Sequence, residues 1–123
     1  MVREMLLASP IPPPLDAGLH ISYLTKPLHL LFSLPSHFES LDASQPWILY
    51  WITHALALLK HPVSEETEDR IIDALGLCQS EKGGYAGGFG QLPHLATTYA
   101  AVNALVTLGT DTAMQLTDRF YFF

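Results

Sequence analysis

The chain has little with which to make covalent or cationic attachments. Cys78 is the only cysteine among 123 residues, so no intrachain disulfide can form, and a reducing compartment, the cytoplasm, is expected. Basic residues are scarce: six Lys and Arg against twelve Asp and Glu leave a formal net charge of −6. That balance argues against nucleic acid as a partner, because its binding leaves a basic footprint. Long apolar runs are lacking as well. The longest, from Trp47 to Leu59, is broken by Thr53 and His54; a bilayer takes about 20 apolar residues, so no membrane span is expected. No basic leader with an apolar core and a cleavage site opens the sequence, and the ending Phe120-Tyr121-Phe122-Phe123 offers no cysteine for prenylation.

What the chain does have is apolar mass. A hydrophobic content of 49% is rich for one small domain, since short chains have more surface to cover per residue. Such a chain must bury the excess against something else or leave it exposed.

Turn and cap residues divide the sequence. Pro10, Pro12, Pro13 and Pro14 mark residues 1–18 as a flexible lead-in. A helix is expected from about His20 to Leu34, bent or restarted at Pro27 and ended by Pro35. A second begins at Ser44 or Gln45, with Pro46 in its first turn and a stripe of Trp47, Trp51, Ala55 and Leu58; Pro62 stops it. Ser64 caps a third, where Glu65, Glu66, Glu68 and Asp69 suit the positive end of the helix dipole and Ile71, Ile72, Leu75 and Cys78 form the buried side. A fourth starts near Thr97, with Tyr99, Val102, Val106 and Leu108 as apolar marks and Gly109 as C-cap; Asp111 caps a fifth.

Between the third and fourth lies Gly83-Gly84-Tyr85-Ala86-Gly87-Gly88-Phe89-Gly90-Gln91-Leu92-Pro93-His94. Glycines at this density permit positive φ and close backbone approach, which predicts a tightly folded connection. The pattern implies an all-α fold of layered helical hairpins, which need neighbours to bury both faces. It also puts His94 to Tyr99 at the mouth of whatever the layers enclose.

The chemistry-bearing residues are sparse. His20, His29, His37, His54, His61 and His94 form no His-Glu-x-x-His motif, and Cys78 has no partner at Cys-x-x-Cys spacing, so no metal site is expected within the chain. Glu39 and Asp42 read as a solvated pair or local cap, and the glycine run lacks the Gly-Lys-Ser/Thr ending of a phosphate loop. No catalytic residue stands out. Trp47 and Trp51, four apart, present their indoles on one helical face. They either pack a core or wall an apolar ligand site, with Tyr99 as a third ring and His94 as a polar rim. Spacing leaves both open.

Three strings then converge on one family. Residues 41–51, LDASQPWILYW, resemble the LDASRPWLxYW of the protein farnesyltransferase beta subunit; residues 77–85, LCQSEKGGY, resemble its LCQSPxGGF; residues 93–105, PHLATTYAAVNAL, resemble its PHLAPTYAAVNAL. The likeness runs from about His20 to Arg119.

The resemblance implies an alpha-alpha toroid, of which residues 19–123 would be the truncated N-terminal part. It implies a heterodimer with an alpha subunit, farnesyl diphosphate as donor, and proteins ending in a CaaX tetrapeptide as acceptors. It also implies one zinc ion, which activates the acceptor cysteine as thiolate. Ser44, Trp47, Trp51, His94, Ala96 and Thr97 fall on positions of the family's CaaX-peptide pocket, and Trp47 and Tyr99 on its isoprenoid pocket. Thr97 replaces the family's proline, which predicts an altered preference for the last acceptor residue; Gln45 replaces an arginine. The family's zinc ligands and diphosphate-binding groups lie toward its C-terminal half, beyond the segments matched here, so this chain alone is expected to be inactive. The alternative is a non-catalytic helical module that binds the alpha subunit or another protein through exposed apolar faces. A toroidal glycosidase would need paired carboxylates across a cavity, and nothing in the sequence positions them.

Overall fold

A computed structural model describes residues 11–29 and 42–117, which form five helices and no strand. They are α1 (Ala17–His29), α2 (Gln45–Leu58), α3 (Glu65–Cys78), α4 (Leu95–Leu108) and α5 (Asp111–Thr117). The expectations for residues 1–10, for Leu34, Pro35, His37 and Glu39, and for the Phe120–Phe123 ending lie outside the described residues.

Local chemistry accounts for most helix ends. The Asp16 carboxylate accepts the Leu19 N–H at 3.1 Å and starts α1 three residues before His20. Pro27 is accommodated in the last turn of the described helix. Pro46 occupies the first turn of α2, where its missing N–H leaves no bond unmade. At the other end of α2, the His61 and Lys60 N–H groups bond the carbonyls of Leu56 and Ala57, both at 3.0 Å. This is a Schellman closure, and it holds Lys60 at φ 54°. Ser64 Oγ accepts the Thr67 N–H at 3.2 Å to cap α3, whose first turn carries Glu65, Glu66 and Glu68. Gly109, at φ 69°, closes α4. The fifth helix is capped by Thr110 rather than Asp111, because the Thr110 hydroxyl accepts the Ala113 N–H and also bonds Glu68 on α3.

The expected stripes on α2 and α4 coincide only in part with the faces that pack: Val102 and Leu108 lie against the core, partly buried. Leu49, Ile52, Thr53 and Leu56 are buried on α2, whereas Trp51 and Leu58 are exposed. On α4 the buried set is Thr97, Ala100, Ala101, Ala104 and Leu105, whereas Tyr99 and Val106 are exposed. The reason is steric. Among the described residues α2 and α4 form the most extensive helix pair, and alanines let the two backbones approach where aromatic rings would hold them apart. Helix α4 also starts at Leu95, two residues before the expected Thr97, because His94 takes the extended N-cap conformation.

The order of contacts gives the topology. Trp47 and Tyr99, near the starts of α2 and α4, touch at one end of the pair. Leu56 and Lys60 of the α2 end and Thr107 and Leu108 of the α4 end share a cavity at the other. The two helices therefore run parallel. Helix α3 returns antiparallel outside this pair: its start meets Thr110, and Gln79, just beyond its end, bonds the Leu116 carbonyl. The repeated unit is a helical hairpin, α2 with α3 and then α4 with α5, as in part of an alpha-alpha toroid. Leu28 of α1, Leu49, Leu56, Ile71, Leu75, Tyr85 and Leu105 form the shared core.

Candidate functional site

The glycine connection sets the geometry at the starts of α2 and α4. Its bridges Gln79–Tyr85 and Ala86–Pro93 fold it back on itself, and Tyr85 is its buried anchor. The Tyr85 N–H bonds Thr98 Oγ1 at 2.9 Å, its carbonyl accepts the Thr97 hydroxyl at 2.6 Å, and its phenol donates to the Leu116 carbonyl at 3.0 Å. Further along, the Gly87 carbonyl accepts the Gln45 N–H at 2.9 Å, and the Gln91 side-chain amide reaches the Asp42 carbonyl at 3.4 Å. A Cβ on Gly87 would lie 2.0 Å from the Ala43 carbonyl oxygen. Only glycine permits this approach, and the approach fixes the first turn of α2 against the loop.

That docking assembles an aromatic cluster. The Trp47 ring lies 5.6 Å from Trp51, 5.8 Å from Tyr99 and 6.2 Å from Tyr50, centroid to centroid; Tyr50 meets Tyr99 edge-on at 6.1 Å and His54 at 5.5 Å. These are favourable tilted and edge-to-face separations. Burial first, and then the neighbouring Tyr99 hydroxyl, push the Tyr50 phenol above its ordinary value, so it stays neutral and can donate. Trp51 is 56% exposed and Tyr99 53%, and Leu95, on the same helix as Tyr99, is 85% exposed. The rings form an open apolar surface carried by a packed interface. Of the two readings left open for Trp47 and Trp51, core packing does not hold for Trp51, which lies outside the core.

The residues picked out in the sequence divide into two groups. Trp47, Trp51 and Tyr99 come together on one surface. Ser44 and His94 are the N-caps of α2 and α4, neither side chain making a cap bond, and Ala96 is exposed in the first turn of α4; all three lie at the same end as the rings. Thr97 is different. It is 1% exposed, and its hydroxyl is committed to Tyr85 and, at 3.1 Å, to the His94 carbonyl. Sequence reasoning missed Tyr85, although an aromatic residue set among glycines was the available signal.

The surface has aromatic and hydroxyl groups but no lysine or arginine among Ser44, Trp47, Tyr50, Trp51, His54, His94, Ala96 and Tyr99. It suits an apolar ligand and lacks the charge to hold a diphosphate. Nor do the described residues fit a zinc ion. No three of His, Cys, Asp or Glu come together among them. Cys78 is buried, and burial pushes its thiol up to about 11, the wrong direction for a thiolate ligand. Two cavities of about 310 and 450 Å³ lie at the opposite end of α2, around Leu56, His61, Pro62 and Val63, away from the rings. No helix among the described residues is long and apolar enough to cross a membrane.

Comparison with known proteins accords with this geometry. The chain is 57% identical over 99 residues to the protein farnesyltransferase subunit beta of Arabidopsis thaliana, covering 80% of this chain and 20% of that protein. It is 47% identical over 90 residues to the subunit of the same name from Pisum sativum, covering 73% and 21%. With that of Saccharomyces cerevisiae it shares 44% identity over 96 residues, covering 77% and 22%. The chain thus spans about a fifth of the length of these curated relatives. Residues 15–121 match the prenyltransferase alpha-alpha toroid domain. The parallel pair α2 and α4, the returning α3 and the glycine connection are therefore part of such a toroid, and the chain belongs to the prenyltransferase family as a partial match to the protein farnesyltransferase beta subunit.

Proposed function

We propose that this chain is part of the beta subunit of a cytoplasmic protein farnesyltransferase, which pairs with an alpha subunit and transfers farnesyl from its diphosphate to the cysteine of a C-terminal CaaX motif. The observation that carries the reading is the exposed ring cluster of Trp47, Trp51 and Tyr99, held at the end of a packed helix pair. Aromatic walls exclude water and bury an isoprenoid without asking it for hydrogen bonds. Trp47 and Tyr99 would contact the prenyl chain, and Ser44, Trp47, Trp51, His94 and Ala96 the acceptor tetrapeptide. No step of bond making is assigned to the described residues, since they supply neither a metal site nor a diphosphate clamp; zinc and those groups would come from chain outside this segment.

The test is to assemble a beta subunit carrying this segment with an alpha subunit and assay transfer of farnesyl, against geranylgeranyl, to CaaX peptides. Farnesyl transfer that falls at least tenfold in Tyr99→Ala is expected. An assembled heterodimer that transfers neither group would overturn the reading. One observation favours a second reading, a non-catalytic helical module: Leu19 and Tyr23, four apart on α1, are both exposed, as is Leu15 just before the helix. Stable partner binding without transfer would support it.

A further inference from the structure

We propose that Thr97 is a positioning residue that acts through the Tyr85 carbonyl and does not form part of the pocket wall. Its side chain is 1% exposed and faces the interior, away from the ring surface. Its hydroxyl donates to the Tyr85 carbonyl at 2.6 Å, a contact reinforced from the next residue by Thr98 Oγ1, which accepts the Tyr85 N–H at 2.9 Å. Two adjacent residues of α4 therefore clamp both backbone groups of one residue in the glycine connection. Two residues on, the Gly87 carbonyl holds the Gln45 N–H at 2.9 Å. The route from Thr97 to the start of α2, where Ser44 and Trp47 lie, is one side-chain hydrogen bond, the backbone from Tyr85 to Gly87, and one backbone hydrogen bond. A change at Thr97 is transmitted as a displacement of the α2 start against α4. Its influence on the last acceptor residue would come through the placement of Ser44 and Trp47, and this part of the inference rests on the prenyl-transfer reading.

A paired substitution separates clamp from wall. Thr97→Val keeps the shape of the side chain and removes the hydroxyl; Thr97→Ser keeps the hydroxyl and removes the methyl group. The measurements are amide exchange at Gln45 and His94 in the full chain assembled with the alpha subunit, with Ile71 and Leu75 as reference amides, and relative kcat/KM for CaaX peptides varied at the last residue. Thr97→Val is expected to speed exchange at Gln45 and His94 by roughly two- to tenfold, the range for losing one hydrogen bond, and to shift the peptide preference. The reference amides should stay unchanged, and Thr97→Ser should match the parent in both measurements. A preference shifted by Thr97→Ser and untouched by Thr97→Val would overturn the proposal in favour of a wall. Equal acceleration of the Ile71 and Leu75 amides would overturn it in favour of general destabilisation. If the assembly transfers no prenyl group, the functional reading fails, and the exchange arm alone still decides whether Thr97 is the clamp.

Discussion

Helices α3 and α4 are each 14 residues long and pack on the same core, yet they meet their surroundings in opposite ways. Helix α3 buries Ile71, Ile72, Leu75 and Cys78 and turns Glu65, Glu66, Asp69 and Asp73 to solvent. Helix α4 has no charged residue. It buries Ala100, Ala101, Ala104 and Leu105, and leaves Leu95, Tyr99 and Val106 exposed. Helix α2 repeats the α4 pattern, with Trp51 and Leu58 exposed opposite Leu49, Ile52 and Leu56. A one-faced helix such as α3 is complete when its single stripe is covered, and so forms an outer layer. A helix apolar on both sides needs two covers. For α2 and α4 the described residues supply one, and the second face is where a ligand and the rest of a toroid would lie.

The largest way to break this difference is Gly87→Ala. Its Cβ would collide with the Ala43 carbonyl and push the start of α2 off the glycine connection. We expect a loss of about 3 kcal/mol, measured by denaturant unfolding, together with loss of the ring cluster's near-ultraviolet circular dichroism. Two truncations then compare the layers directly. Leu75→Ala, in the fully buried stripe of α3, should cost about 3 kcal/mol. Trp51→Ala, on the exposed side of α2, should cost under about 1 kcal/mol while weakening binding of a CaaX peptide at least tenfold. Equal stability costs would mean that the inner face is already covered within this chain.

A smaller effect sharpens the contrast between α2 and α4 at their C-terminal ends. Gly109 closes α4 in the left-handed region at no steric cost, whereas Lys60 holds the same region at the end of α2. Lys60→Gly should stabilise the protein by about 1 kcal/mol, read as a raised Tm. The smallest effect concerns the buried side of α3. Burial raises the Cys78 thiol from 9.0 to about 11, so the folded state favours the protonated form. The stability this gives is fully present below pH 9 and is lost as the pH rises toward 11. Alkylation of Cys78 at pH 8 should be slow in the folded chain and become fast on unfolding.

Local signals were legible wherever a single residue sets its own backbone. Ser64, Pro46 and Gly109 stand at the helix ends that their chemistry predicts. The hairpin order and the all-α class follow from those ends and the glycine connection. Where two groups compete for one position, sequence reading fell short. Thr110 and Asp111 are both competent caps, and the contact of Thr110 with Glu68 on another helix decides between them. Trp51 and Leu49 are both apolar on α2, and nothing in a charge-free helix marks which faces the core. The aromatic site was therefore legible as a set of residues but not as a surface, and Thr97 was legible as a departure from the family pattern but not as a clamp on Tyr85.

The sequence by itself determined the helices, most of their caps, the family and the ring-bearing residues, because caps, prolines and short motifs act over a few bonds. Only the tertiary structure decided which faces of α2 and α4 close together, that the Gly87 contact docks one start against the other, and that Thr97 points inward. Those outcomes depend on volumes meeting across the core: alanines permit the close α2–α4 approach, and the bulky rings are left outside it.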